Sequence, residues 1–288
     1  MLKLQTPVEV SESHVGISYE DRIMVLGSCF ADSIGARLAA AGFDVSVNPF
    51  GTLYNPVSIS ESVARLSDGH PFEAGDCVEM GAGAGLVCSF SHHTSFARKD
   101  RETFLRVAND ELQKASGFYK NCNKLIVTLG TAWCYDYIET GRTVSNCLKR
   151  PACEFERRRL SADEVADCLE AITRPGKRYI FTVSPIRHLK DTAHGNQLSK
   201  SILLLAVDEI CRRHSDICEY FPSYEIMMDQ LRDYRFYAED MVHPSDVAVG
   251  YIWERFIDFA LPQSEKEKLL ENEKLYRRSQ HRQLHVDR

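Results

Sequence analysis

Short, wholly apolar runs alternate along the chain with longer stretches in which apolar positions recur at helical spacing. Ile23-Met24-Val25-Leu26 predicts a buried strand that ends at Gly27, with a helix following over residues 30–41. The segments 43–47, 125–128, 178–183 and 217–220 predict four more strands. Helical patterns cover residues 56–66, where Pro56 sits at a position that needs no N–H, and about 101–116. Another begins at Ser161, because Ser161-Ala162-Asp163-Glu164 is a capping box. The helix over 197–213 shows an apolar face at Ile202, Leu205 and Ile210, and a last core helix covers 247–260. Residues 75–90 read as a Gly-rich hairpin or loop, and Glu139-Thr140-Gly141-Arg142 as the turn of a hairpin excursion.

Strands separated by helices imply right-handed crossovers and a parallel sheet covered on both faces. The expected fold is a three-layer α/β/α sandwich, one domain over residues 1–262. Residues 263–288 are highly charged and read as a solvated extension, with a partner-binding helix as the alternative. In such sheets ligands bind at the carboxyl ends of the strands, so the loops that follow the strands are the place to look.

Composition narrows the function classes. The chain has 288 residues, 44% of them hydrophobic and 26% charged, enough apolar material to enclose a site. A net charge of −6 gives no general attraction to phosphate backbones, so no nucleic-acid partner is expected. Arg157-Arg158-Arg159 is short, precedes a helix start and reads as a solvated edge. No apolar run approaches the roughly 18 residues that span a bilayer, and the N-terminal residues lack the apolar core of a secretion signal. The expected location is the cytoplasm, without a membrane partner. Ten cysteines are scattered with no Cys-x-x-Cys pair, which speaks for reduced thiols rather than disulfides or a zinc site. His92 and His93 are adjacent, and in an extended chain they point apart, so no metal and no other cofactor is expected. Gly81-Ala82-Gly83-Ala84-Gly85 lacks the strand–glycine–helix context of a phosphate loop and reads as a flexible turn or lid.

Two segments carry candidate chemistry. Ser28 stands at the first strand-to-helix junction, where a hydroxyl meets a helix N-terminus and its N–H groups. Taken alone, it is equally an N-cap. Near the other end, Asp240-Met241-Val242-His243-Pro244 spaces a carboxylate and an imidazole so that one turn brings them together, with Pro244 stiffening His243. His188 and Arg187 follow the fourth strand as substrate contacts or as ordinary loop residues. Tyr54 and Trp133 are pocket or core aromatics, and Asn146 and Lys149 follow the hairpin.

Gly27-Ser28-Cys29-Phe30-Ala31 resembles the signature of the GSCFA family, a branch of the SGNH (GDSL-like) esterases. The segments 48–56, Thr128-Leu129-Gly130-Thr131-Ala132-Trp133, Thr182-Val183-Ser184-Pro185-Ile186-Arg187-His188 and 240–244 are similar to that family too. The resemblance implies a flavodoxin-like sheet and a catalytic triad of Ser28, Asp240 and His243. It implies Gly51 as an oxyanion donor beside the Ser28 N–H. Where the superfamily carries Gly-x-Asn-Asp, this chain has Gly130-Thr131-Ala132-Trp133, so the side-chain amide donor is missing. Thr131, a backbone N–H of its loop, or Asn48 stands as the substitute, and Cys29 replaces the usual aspartate after the serine. The implied activity is hydrolysis of an ester, a small acyl group such as O-acetyl on a small molecule or carbohydrate. The alternatives are an acyltransferase of the same chemistry or a non-catalytic binding protein on an esterase fold.

Overall fold

The computed structural model describes residues 6–286. In chain order its elements are β1 (Arg22–Gly27), α1 (Cys29–Ala40), β2 (Asp44–Val47), α2 (Pro56–Asp68), β3 (Val78–Glu79) and β4 (Val87–Cys88). Then come α3 (Arg101–Asn121), β5 (Lys124–Leu129), β6 (Trp133–Tyr137), β7 (Arg142–Val144), β8 (Phe155–Arg159) and α4 (Ala162–Ile172). The chain continues through β9 (Arg178–Val183), α5 (Thr192–Arg213), β10 (Cys218–Tyr220), α6 (Asp246–Ala260) and α7 (Lys266–Val286).

All five expected strands form and pair in parallel in the spatial order β2-β1-β5-β9-β10. This is the flavodoxin-like order, whose direction of growth reverses between β1 and β5. Alternate side chains of the buried strands enter different layers. Met24, Leu26, Leu125 and Val127 face a core shared with α2, α3, α4 and α5. Ile23, Val25, Ile126 and Ile180 face α1 and α6 through Phe30, Ile34, Ile252 and Phe256. The molecule is therefore a three-layer α/β/α sandwich. The capping box at Ser161 forms as expected, with Ser161 Oγ accepting from the Glu164 N–H at 3.2 Å.

One expectation needs correction, and two others gain detail. Arg157-Arg158-Arg159 is solvated as expected, and it forms most of β8, the edge strand that pairs antiparallel with β6 in a three-stranded sheet with β7. Its charges are matched there, Arg158 reaching Asp136 at 2.6 Å and Glu164 at 2.7 Å. Of the apolar face expected on α5, Ile210 is buried and Ile202 packs against the core, but Leu205 points outward at 63% exposure. The buried face also takes in Asn196, Ser199, Lys200, Leu203 and Val207. The charged extension is helical, and its first turns dock: Leu269 is buried and Asn272 Nδ2 donates to Ala41 O at 2.9 Å.

His92 is fully enclosed by Phe50, Phe72, Phe96 and Phe104, and burial pushes its imidazole down to about 3. The unfolded chain takes up a proton near pH 6.5, whereas the folded one resists it until about 3. Stability from this group is complete above pH 6.5 and falls on acidification towards 3, by about 1.4 kcal/mol per pH unit. Urea titrations of His92→Phe between pH 6 and 4 are expected to show a shallower loss by about that slope. An unchanged slope removes His92 as its source.

Candidate active site

The reversal point of the sheet places the ends of β1 and β5 side by side, and a cavity of about 440 Å³ opens above them. Ser28, Cys29, Tyr54, Asn55, Thr131, Trp133, Arg157, Arg187, His188 and His243 are among its lining residues. The sequence-predicted Ser28, Thr131, Trp133, His188 and His243 therefore meet in one place.

Ser28 is the N-cap of α1, 1% exposed, with its Oγ accepting from the Phe30 N–H at 3.3 Å. That contact uses an oxygen lone pair and leaves the hydroxyl proton free. The turn that presents Ser28 is braced from below by Asn48, whose Oδ1 accepts from Gly27 N at 2.8 Å and whose Nδ2 donates to Asp32 Oδ1 at 2.6 Å. Both ends of the Asn48 amide are engaged, and Asn48 is not among the cavity's lining residues.

Asp240 and His243 lie in the loop before α6. Asp240 Oδ2 meets His243 Nδ1 at 2.6 Å, while Asp240 Oδ1 accepts the backbone N–H groups of Val242 and His243, each at 2.9 Å. These bonds, the His243 N–H first, draw the Asp240 carboxyl down to about 2. As an ionised acceptor it holds the imidazole proton on Nδ1, which leaves Nε2 with its lone pair. Both side chains are open to solvent, at 46% and 49% exposure for His243 and Asp240. Arg187 anchors the loop by donating to Met241 O, and its guanidinium lies 4.2 Å over the Tyr237 ring. His188 stands beside His243 with its imidazole pushed down to about 4, mainly by burial, and its ring meets Tyr54 edge-on.

The oxyanion donors expected from the sequence are spoken for. Gly51 N donates to Asn48 O at 2.7 Å and Gly51 is not among the lining residues. Its own constraint is different: with φ +83, a Cβ there lies 2.3 Å from the His93 Cβ. Ser28 N donates to Thr128 O at 3.1 Å. Gly130 N and Thr131 N both donate to Tyr54 O at 2.9 Å. Ala132 N donates to Ser199 Oγ at 2.8 Å, and Trp133 N to Thr131 Oγ at 3.1 Å. The Thr131 hydroxyl also meets Ser199 Oγ at 3.1 Å. The Cys29 N–H remains, in the first turn of α1, where amides have no partner within the helix.

Sequence reading missed several residues here. Arg157 lies 4.2 Å over the Trp133 ring and pairs with Asp191, closing one side of the cavity. Lys200 is fully buried on α5, donates to Gly130 O at 2.7 Å and Ser184 O at 2.8 Å, and is pushed down to about 7 by burial. Asn196 Oδ1 accepts from His188 N at 2.9 Å. Asn196, Ser199 and Lys200 together hold the loops after β5 and β9 from behind. Their spacing along α5 was the available signal, hidden by their polarity.

Among the described residues no group of three or more His, Cys, Asp or Glu side chains is arranged to hold a metal ion. The profile of the GSCFA family matches residues 22–256 of the chain. No curated protein and no solved structure matches it.

Proposed function

Because the chain belongs to the GSCFA family, we propose that it is a serine esterase of the SGNH type, with Ser28 as nucleophile, His243 as base and Asp240 orienting His243. One observation carries this reading. A serine with a free hydroxyl proton and an imidazole with an ionised carboxylate behind it line the same cavity, at the reversal point of a parallel sheet.

His243 Nε2 takes the Ser28 proton as Oγ bonds to the ester carbonyl carbon, and the carbonyl π pair moves onto oxygen. On this reading the Cys29 N–H meets that charge. Collapse of the tetrahedral species breaks the bond to the leaving alcohol, which departs with the proton from His243. Water, deprotonated by the same imidazole, then attacks the acyl-serine, and the acid leaves as the hydroxyl of Ser28 is restored. No cofactor takes part in these steps. A cavity of about 440 Å³ walled by Tyr54, Trp133 and Tyr135 accommodates a small acyl ester, such as an acetyl group carried on a sugar. Product analysis with added acceptor alcohols separates hydrolysis from acyl transfer. Ten free cysteines fit a reducing compartment, the cytoplasm, and no helix among the described residues is long and apolar enough to cross a membrane.

Asp240→Asn keeps an acceptor for the two backbone N–H groups but presents an amide to His243, which favours the wrong tautomer. Its kcat on p-nitrophenyl acetate is expected to fall about 10⁴-fold with an unchanged melting temperature. A kcat within tenfold of the parent removes Asp240 from the triad.

A further inference from the structure

Resting on the serine esterase reading, we infer that Asn55 supplies the side-chain amide of the oxyanion hole that the loop after β5 no longer provides. Asn55 is the N-cap of α2, and its Oδ1 accepts from the Ser58 N–H at 2.9 Å. A backbone N–H needs an acceptor, so the oxygen of this carboxamide faces Ser58 and the nitrogen faces away from the helix. Nδ2 makes no hydrogen bond among the described residues. It is also not one of the sealed, unpartnered polar atoms. Asn55 is 5% exposed and lines the cavity with Ser28, so the free N–H groups open onto the place where Ser28 reacts.

The surrounding backbone brings the two residues together. Gly130 stands between Ser28 and the Tyr54 carbonyl: a Cβ on Gly130 lies 2.9 Å from Tyr54 O and 3.4 Å from the Ser28 Cβ. The Tyr54 carbonyl belongs to the peptide that joins Tyr54 to Asn55, and it is pinned by the Gly130 and Thr131 N–H groups at 2.9 Å. Pro56 follows at the first helical position and fixes the chain on the other side. A donor held this firmly needs no reorganisation when charge develops on the carbonyl oxygen. With the backbone donors of residues 28, 51 and 130–133 engaged elsewhere, Nδ2 of Asn55 and the Cys29 N–H form the pair that receives the charge.

Asn146 also lines the cavity, with its Oδ1 accepting from Leu148 N at 2.8 Å, but it rises from the hairpin wall rather than beside Gly130. It is the rival that the experiment must separate.

The test compares Asn55→Asp, Asn55→Ser and Asn146→Asp with the parent protein. Both changes at 55 keep an oxygen to cap α2 and remove the amide donor, so the fold is retained. The readouts are kcat and KM on p-nitrophenyl acetate and the rate of Ser28 labelling by a fluorophosphonate. For Asn55→Asp and Asn55→Ser, kcat and labelling rate are expected to fall about 10²–10³-fold, with KM within threefold. Parent-like rates in both Asn55 variants overturn the inference, and so does a comparable loss found with Asn146→Asp instead. A parent protein in which Ser28 neither labels nor supports hydrolysis overturns the esterase reading itself, and the Asn55 assignment with it. An active, labelled parent with indifferent Asn55 variants overturns only the latter.

Discussion

Ser28→Ala is expected to lower kcat on p-nitrophenyl acetate by at least about 10⁴-fold and to abolish fluorophosphonate labelling. Removal of a nucleophile from a triad has effects of this size because the remaining groups have nothing to activate. The fold should survive. Oγ makes one long capping contact, to Phe30 N at 3.3 Å, and losing such a cap costs about 1 kcal/mol. The neighbouring thiol is the competing nucleophile. Cys29 Sγ lies 3.3 Å from Tyr54 OH, and Cys29 lines the same cavity. A loss of activity and labelling in Cys29→Ala, with Ser28→Ala indifferent, moves the chemistry to the thiol and sinks the Ser28 assignment.

Gly27→Ala is expected to be the most destabilising single substitution in the sheet. Gly27 has φ +134, and a Cβ there lies 2.0 Å from the Thr128 carbonyl oxygen. Both atoms belong to paired central strands, Gly27 opposite Thr128, so neither side can yield without parting β1 from β5. The expected loss is about 4 kcal/mol or more, read as a melting temperature lower by about 10 °C or as failure to accumulate folded protein. The same displacement moves Ser28, so any folded fraction should also be poorly active. A variant that melts with the parent shows that the strand ends are not packed as described.

The central sheet was legible in the sequence because its strands are buried on both faces. β1, β5 and β9 therefore read as short apolar runs closed by Gly27, by Gly130 and by Ser184-Pro185, too short for helices. β8 was not legible. Glu156, Arg157, Arg158 and Arg159 look like solvent-facing polarity, and only the distant Asp136, Glu164, Asp191 and Trp133 turn them into a strand with partners. The inner face of α5 was misread for a related reason. Asn196, Ser199 and Lys200 are polar, so periodicity places them outside, yet each is satisfied by atoms of loops far away in the chain.

In the candidate site, Ser28 and the Asp240–His243 pair were readable because each motif brings its own residue to the same cavity, Ser28 directly and Asp240 through His243. Gly51 and Asn48 were readable as special positions, but their role differs. Gly51 admits His93 at close range, and Asn48 ties the first strand end to Asp32. Asn55 was hidden by a sufficient local explanation. An asparagine before Pro56 is an excellent helix cap, and nothing in the sequence says that only one end of its amide is used.

On the proposed mechanism, the uneven burial of Ser28 and His243 has a consequence for the fate of the acyl group. The serine oxygen lies at the floor, while the imidazole stands nearly half open at the rim. In that mechanism, once the alcohol has departed, a base this exposed is readily reached by water. Partitioning then favours release of a free acid over handing the acyl chain to another hydroxyl, unless an acceptor is bound firmly enough at the rim to shut the solvent out.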